Sequence, residues 1–175
     1  PHPVVDDGTI TWKPGEPHTV TIGDGTSRPY TGWASNIPVD HYDRNGHPVP
    51  VLVHPTGHPE IQLAPVAAQR MRSWEAAYGA KFIFSGSPAA YRPFPATGVG
   101  YSRYTKQWRL VHYIGHFSGE SIDLHLTAMG IDPYKPLSDP RRQRWEALKR
   151  AAAATGWECW NPTDEPWHWS INGRH

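Results

Sequence analysis

Two segments of the chain carry apolar residues at helical spacing. From Ala64 to Tyr78 apolar side chains recur every three or four positions, a proline lies in the first turn, and Gly79 follows as a stop signal. The second segment runs from Arg141 to Ala154, after a Ser-Asp-Pro helix entry, and ends at Gly156. The pattern therefore predicts two α-helices.

Short apolar or alternating runs between and after these helices predict β-strands. They are Lys81–Phe84, Ser121–Leu126, Trp157–Trp160 and a closing strand that begins within Glu165–Ile171. In the second run, alternation places Asp123 and His125 on one face and the apolar residues on the other. The segment Tyr101–Leu110 fits either a short helix or a strand.

The first sixty residues are rich in Pro, Gly, His and Asp. Runs at Thr9–Trp12 and His18–Ile22, with the turn signal Gly23–Gly25, predict a hairpin followed by extended loop, and Val49–Val53 predicts a short edge strand. Four histidines here stand beside Pro and Gly at irregular spacing, which indicates solvated loop imidazoles rather than metal ligands. They are His41, His47, His54 and His58.

The length of 175 residues fits one domain with a single core. A helix followed by a strand favours an α+β fold, and we expect a small antiparallel sheet that carries the functional site, with helices on its back. Nineteen prolines, sixteen glycines and nine tryptophans indicate irregular loops held by aromatic anchors. We expect residues 1–60 to form a loop-rich extension packed on a domain of residues 61–175.

Charge and cysteine content exclude several classes of function. The formal net charge of +1 gives no strong field toward nucleic acid, and no apolar run is long enough for membrane insertion. Cys159 is the single cysteine, so an intrachain disulfide and a multi-cysteine zinc site are excluded, and we interpret this thiol as buried and structural. The start of the chain has no signal-peptide pattern. We expect a monomer without a nucleic acid partner.

Two imidazoles and two carboxylates stand in two clusters predicted to be strands or strand ends. The first cluster contains His116 and, seven positions later, Asp123; the second contains Glu165 and His168. Zinc binds neutral His nitrogen and carboxylate oxygen, and a catalytic site uses three protein ligands and keeps one position open. These residues can therefore supply three ligands and one base.

Two further histidines, His112 and His125, lie near these clusters. A histidine beside a carboxylate is more often its hydrogen-bond partner than a metal ligand. We therefore expect neither to bind metal, although His125 could approach an ion from the face that carries Asp123.

The spacing of His116 and Asp123, with Gly119 between them, resembles the first zinc motif of the D-alanyl-D-alanine carboxypeptidase family of zinc peptidases. Glu165-Pro-Trp-His168 resembles its second motif. The family pattern is Ser-x-His-x-x-Gly-x-Ala-x-Asp followed by Glu-x-x-His, found in vancomycin-resistance D,D-peptidases and in phage endolysins that cut L-alanyl-D-glutamate bonds. The resemblance covers roughly Leu63–Ile171.

This chain departs from the family pattern at two positions that bind no metal, where Ile114 replaces Ser and Ser121 replaces Ala. A third departure affects the family's Ser-Gly-Tyr-Arg stretch, because four residues separate Ser85-Gly86 from Tyr91-Arg92. We align Arg92 with the family's arginine across this insertion.

The resemblance implies a role for each matched residue. The zinc ligands would be His116, Asp123 and His168. Glu165 would be the general base that takes a proton from the attacking water, and Arg92 would polarise the scissile carbonyl.

The resemblance also implies a function: a zinc-dependent peptidase that hydrolyses stem peptides of bacterial peptidoglycan, first of all an endolysin-type endopeptidase that cuts an L-Ala-D-Glu bond or a cross-link. A D-Ala-D-Ala carboxypeptidase or dipeptidase of the same fold is the alternative. Either would act at the cell wall, as a phage lysin released from the host cytoplasm or as an exported protein that has lost its signal.

Two alternatives belong to other classes of protein. A non-catalytic zinc-containing module, as in hedgehog-type relatives, is disfavoured by the intact Glu165. A carbohydrate-binding module would need a row of exposed tryptophans, whereas aromatic residues at strand spacing usually fill a core. The tryptophans concerned are Trp157, Trp160, Trp167 and Trp169.

Overall fold

A computed structural model describes residues 4–6, 18–21, 27–30, 39–44, 48–93, 97–103 and 105–171. The strands are β1 (Val4–Asp6), β2 (His18–Thr21), β3 (Ser27–Tyr30), β4 (Val39–Tyr42), β5 (Pro48–Pro50), β6 (Thr97–Ser102), β7 (Gln107–His112), β8 (Ser121–Asp123), β9 (Glu158–Cys159) and β10 (His168–Ser170). The helices are α1 (Pro65–Tyr78), α2 (Ile114–Phe117) and α3 (Pro140–Thr155). Helices and small sheets together confirm the predicted α+β class. None of the helices in the described ranges has the length and apolar character needed to cross a membrane.

The two long helices match the sequence prediction, including their ends. Helix α1 ends at Gly79, which has a left-handed φ of 87° and donates its amide to the Glu75 carbonyl. Helix α3 begins after Asp139, whose carboxylate accepts a hydrogen bond from the amide of Arg141, and ends at Gly156 with φ 81°. The end signals read from the sequence therefore determine the lengths of both helices.

A cluster of aromatic side chains joins the helices to the sheet. The ring of Trp74 on α1 lies 4.8 Å from that of Phe82, 5.3 Å from Trp157 and 4.9 Å from Trp169, measured between centroids. Its indole nitrogen also donates a hydrogen bond of 3.1 Å to the carbonyl of Leu148 on α3. Trp74 therefore ties α1 to α3 and to strand β10.

Strands β8, β10 and β9 form an antiparallel sheet in the order β8-β10-β9. In its register His168 lies opposite Asp123, and Trp169 lies opposite Ile122. Trp169 and Ile122 are buried in the core. Because side chains alternate across a strand, His168 and Asp123 share the other face. The sheet with helices behind it is the arrangement that the sequence predicted.

A second three-stranded sheet has the order β1-β7-β6, with β1 parallel and β6 antiparallel to β7. The segment Tyr101–Leu110 is thus two strand ends and the turn between them, and the short-helix interpretation is wrong. Residues of β6 pair with β7 from Thr97 opposite His112 to Ser102 opposite Gln107. These cross-strand pairs, together with the pairing of β7 to β1, outweigh a weak helical pattern.

The predicted strand Lys81–Phe84 does not form, although Phe82 is buried. This extended segment is anchored at two points instead. The amide of Phe82 donates to the carboxylate of Glu75 at 2.7 Å, and the carbonyl of Ile83 accepts from the amide of His125 at 2.8 Å. Single bonds to different partners do not make a ladder, so the apolar run remains outside the sheets.

Three other predicted strand assignments also change. His116 lies in the short helix α2 rather than in a strand or at a strand end. Strand β8 ends at Asp123, because the chain turns where the amide of Leu126 bonds to the carbonyl of Leu124. The closing strand begins at His168, since Glu165 and the two residues after it belong to a turn.

Only parts of the first sixty residues are described. Strand β2 confirms the predicted run that starts at His18; it pairs with β3, whereas residues 9–12 and the turn 23–25 lie outside the described residues. Strand β5 confirms a short strand in the Val49–Val53 region, shorter than expected and paired with β4. The division of the chain at residue 60 stays a prediction.

The histidines of this region do not all behave as predicted. His41 is exposed beside Asp40, and His54 is exposed as well. His58 is fully buried, with its two ring nitrogens 2.8 Å from a Glu60 oxygen and 2.6 Å from a Glu75 oxygen, so its interpretation as a solvated imidazole is wrong. His47 lies outside the described residues.

Candidate metal centre

Three side chains from different elements meet at one point. His116 Nε2 lies 3.2 Å from His168 Nδ1 and 3.2 Å from Asp123 Oδ1, and His168 Nδ1 lies 2.8 Å from the same Asp123 oxygen. The helix α2 supplies His116, the end of β8 supplies Asp123, and β10 supplies His168. This group could hold a metal ion. We call it the His-Asp-His group.

His116 is held with one ring nitrogen pointing into the group. Its Nδ1 donates a hydrogen bond of 2.6 Å to the carbonyl of Ala90, so the Nε2 lone pair faces Asp123 and His168. Burial lowers the pKa of His116 below its usual value, although Asp123 acts in the opposite direction. A neutral imidazole with a fixed tautomer is the form that binds metal.

Gly119 lets the chain turn between the first two residues of the group. Its φ is 76°, and a Cβ atom there would lie 2.8 Å from the amide nitrogen of Ala64. The same amide donates a 2.8 Å hydrogen bond to the Gly119 carbonyl. A glycine is required at this point for both conformation and space.

The carboxylate of Asp123 faces the imidazoles with one oxygen and Arg92 with the other. Oδ1 contacts His116 and His168, while Oδ2 accepts a hydrogen bond of 2.7 Å from Arg92 Nη2. Burial raises the pKa of Asp123, but interactions with His116 and His168 outweigh burial and hold it well below its usual value. The group therefore contains an ionised carboxylate.

Arg92 reaches this place because the inserted segment before it is curled. Ser87–Ala89 form a single turn of 3-10 helix, and the guanidinium Nε donates to the carbonyl of Pro88. The backbone amide of Arg92 donates to the carbonyl of His116 at 3.1 Å. The arginine expected from sequence thus lies beside the group, paired with Asp123.

Tyr113 also belongs to this site, and the sequence pattern did not single it out. Its ring stands at 82° to that of His116 with 5.8 Å between centroids, and the Arg92 Cζ lies 4.7 Å from its ring centre. Gly98 on β6 provides space for the Tyr113 ring, since a Cβ atom at this position would lie 2.3 Å from the Tyr113 hydroxyl oxygen. The only sequence signal is its position three residues before His116.

Glu165 lies in the turn that leads into β10, and among the described residues it is not part of the His-Asp-His group. Its carbonyl accepts the amide of His168 at 3.0 Å. Burial raises the pKa of Tyr113, and the charges of Glu165 and Asp123 act in the same direction. The charge of Glu165 therefore acts on the hydroxyl of Tyr113 from the turn before β10.

A groove of about 360 Å³ opens beside Asp123. Its lining residues come from the turn after β8 and from two neighbouring loops. They are Ser85, Asp123, Leu124, His125, Leu126, Thr127 and Trp167. His125 is exposed and is not part of the His-Asp-His group, as expected, and His112 lies in β7.

The aromatic residues and the cysteine near the site have separate environments. Trp157, Trp160 and Trp169 are buried, whereas Trp167 is 40% exposed, so these four do not form a row of exposed rings. Cys159 is half-buried, and burial raises the pKa of its thiol to about 12, which fits a structural thiol.

The fold and site together define a class: an α+β protein in which two buried histidines and a half-buried aspartate form a group that could hold a metal ion. No family model, no curated protein and no solved structure matches this chain. A proposal for the function of the protein therefore rests on the geometry of the site.

Proposed function

We propose that the protein is a zinc-dependent peptidase that hydrolyses stem peptides of bacterial peptidoglycan, with endolysin-type endopeptidase action. The observation that carries the proposal is the meeting of His116 Nε2, His168 Nδ1 and Asp123 Oδ1 at 2.8–3.2 Å. These are the residues that the two zinc-peptidase motifs select, and they come from sites up to 52 positions apart in the chain.

The donor set is compatible with zinc and disfavours calcium and magnesium. A tetrahedral site with ligand bonds of about 2.0–2.2 Å has ligand atoms about 3.3–3.6 Å apart. The separations of 2.8–3.2 Å in the group are shorter, so the three side chains would move slightly apart around an ion. Imidazole nitrogen suits zinc well, while calcium and magnesium prefer sites built from oxygen alone. Three protein ligands are also the number found in catalytic zinc sites, which leave one position for water or substrate.

Zinc bound by His116, Asp123 and His168 would supply a Lewis acid, which lowers the pKa of water and polarises a carbonyl. Glu165 would take the proton of the attacking water and pass it to the leaving amine. Its place in the turn before His168, where its carbonyl accepts the amide of His168, supports this role.

Arg92 and Tyr113 would bind the oxygen of the attacked carbonyl as negative charge develops on it. One Arg92 nitrogen already bonds to Asp123 and one to Pro88, but a guanidinium has five N–H donors and keeps others for substrate. Because the pKa of Tyr113 is raised, its hydroxyl keeps the proton that it would donate. Donors fixed before the reaction stabilise an oxyanion effectively.

The test compares the wild type with Glu165→Ala on purified peptidoglycan, with zinc content measured for both proteins. We expect both to bind zinc, and turnover by Glu165→Ala to fall roughly 10²- to 10⁴-fold, as for loss of a general base. Glu158→Ala, at an exposed position on β9, is the control and should keep its activity. Mass spectrometry of the fragments would separate cleavage at L-Ala-D-Glu or a cross-link from release of terminal D-Ala.

Two results would reject the mechanism: a wild-type protein that binds no metal, or a Glu165→Ala protein that cleaves as fast as the wild type. Zinc binding without any turnover of peptidoglycan would instead favour the non-catalytic zinc module.

A further inference from the structure

The groove beside Asp123 is held open by backbone bonds on its two sides. The amide of Leu124 donates to the carbonyl of Trp167 at 2.9 Å, and the next amide, of His125, donates to the carbonyl of Ile83 at 2.8 Å. Residues 124–125 are thus fixed between two separate loops. Because Asp123 belongs both to the lining and to the His-Asp-His group, anything bound in the groove lies next to that group.

His125 presents a hydrogen-bond donor to the groove. Its Nδ1 accepts the amide N–H of Ala128 at 3.3 Å, which places the ring proton on Nε2. The side chain is exposed and lines the groove. A ligand in the groove therefore meets an N–H donor in a fixed orientation.

Trp167 presents an apolar surface to the same groove. It is 40% exposed, whereas the neighbouring Trp169 is 2% exposed and fills the core. Its carbonyl accepts the amide of Leu124, and the residue lines the groove. Exposed aromatic rings beside a polar donor are typical of sites that bind peptides or sugars.

We propose that this groove is a substrate subsite that binds the peptide on one side of the cleaved bond. In it, His125 Nε2 donates a hydrogen bond to a carbonyl or carboxylate oxygen of the peptide, and Trp167 packs against an apolar part such as an alanine methyl. The identity of the ligand as a substrate rests on the proposed peptidase function, whereas the binding of peptide can be measured without turnover.

The charge of the lining favours a peptide over a polyanion. Asp123 is the one acidic residue among the seven that line the groove, and Arg92 already pairs with it. Those seven include no Lys or Arg that could neutralise phosphates. Leu124 and Leu126 are buried beneath the groove and add apolar surface. A short chain with hydrogen-bond acceptors and small apolar groups fits these features.

The test measures binding by calorimetry in zinc-loaded protein that also carries Glu165→Gln, so that turnover does not interfere. The probe is the stem peptide L-Ala-D-Glu-L-Lys-D-Ala-D-Ala, used as the free acid and as the C-terminal amide. In that background, His125→Phe should raise the Kd roughly three- to tenfold, the loss of one hydrogen bond. His125→Gln, which keeps a donor, should restore most of the affinity.

Trp167→Ala should raise the Kd roughly five- to thirtyfold, and Trp167→Phe less, because a smaller ring remains. His54→Phe, at an exposed histidine outside the groove, is the matched control and should leave the Kd unchanged. If the His125→Phe effect disappears with the amide, the bound oxygen is the terminal carboxylate; if it persists, the oxygen is a carbonyl or the D-Glu carboxylate. Both results support the subsite.

Equal affinities for His125→Phe, Trp167→Ala and the control would overturn the subsite, and so would a peptide that does not bind at all. Turnover by the wild type together with equal affinities would leave the peptidase standing and reject the groove alone. Binding that depends on His125 and Trp167 in a protein without turnover would support the groove as a peptide-binding site and reject the peptidase function.

Discussion

At the scale of single residues, Arg92 contacts both the His-Asp-His group and Tyr113. It bonds to Asp123 Oδ2 at 2.7 Å, its backbone amide bonds to the carbonyl of His116, and its guanidinium lies over the ring of Tyr113. A change at this position therefore acts on the orientation of Asp123 as well as on any bound carbonyl. Partners that orient metal ligands in this way affect metal affinity.

We expect Arg92→Ala to weaken zinc binding about 10- to 100-fold, the usual effect of losing a group that orients a ligand. Competition with a chelating dye would measure the affinity. Arg141→Ala removes a similar arginine–aspartate pair of 2.8 Å at the start of α3 and should not change zinc affinity. Unchanged affinity with lost turnover would mean that Arg92 acts on the substrate alone.

The residues of the site differ in how far the sequence could predict them. His116, Asp123 and His168 stand in motifs, so their types and spacing were enough to select three residues that meet in the fold. Glu165 was selected by the same motif, and its role stays a prediction. Tyr113 and the carbonyl of Ala90 could not be predicted, because their roles depend on how β7 and the loop before Arg92 approach His116. Every residue has a backbone carbonyl, so the residue type does not indicate which carbonyl will accept a hydrogen bond from a histidine.

At the scale of elements, the turn at Gly119 joins α2 to β8 and so sets the distance between His116 and Asp123. A substituent there would meet the backbone of Ala64, with which Gly119 also shares a hydrogen bond. Gly79 has a similar φ of 87°, but a Cβ atom at that position would have nothing within 4 Å. Substitutions at the two glycines therefore distinguish the cost of a left-handed backbone conformation from the cost of steric crowding.

We expect Gly79→Ala to lower the free energy of unfolding by about 1 kcal/mol, the cost of a left-handed conformation. Gly119→Ala should cost more, about 2–4 kcal/mol, since crowding adds to the same conformational term. Urea denaturation of both variants without metal would measure the difference. Equal losses would show that the Ala64 backbone moves away easily.

Elements differed in predictability for a physical reason. The helices α1 and α3 carry local signals over their whole length, including a proline near each start and a glycine after each end. Strands depend on a partner that often lies far away in the chain. Lys81–Phe84 therefore had the composition of a strand without a neighbour to pair with, whereas β6 and β7 paired despite an ambiguous pattern.

At the scale of the whole molecule, the His-Asp-His group connects the helical and sheet parts of the fold. A metal ion that binds the native state and not the unfolded chain raises the free energy of unfolding in proportion to the logarithm of its concentration over Kd. The three residues of the group lie on α2, β8 and β10, and unfolding separates them.

Zinc at a free concentration of about 100 times its Kd should therefore stabilise the protein by about 2.7 kcal/mol, or roughly 5–10 °C in Tm. Differential scanning calorimetry would record the shift, and a chelator should reverse it. His168→Ala should abolish the shift, and His54→Ala, at an exposed position, should preserve it. A full shift in His168→Ala would place the ion elsewhere.

The register of β8 and β10 has a consequence for folding. His168 lies directly opposite Asp123 on this rung of the sheet. A slip of one residue would turn the face of β10 over, so that Trp169 would stand where His168 belongs and the tryptophan would leave the core. The imidazole of His168 would then face away from Asp123. An ion bound to the group would therefore be lost from a mispaired chain, and its binding would select the chain with the correct register.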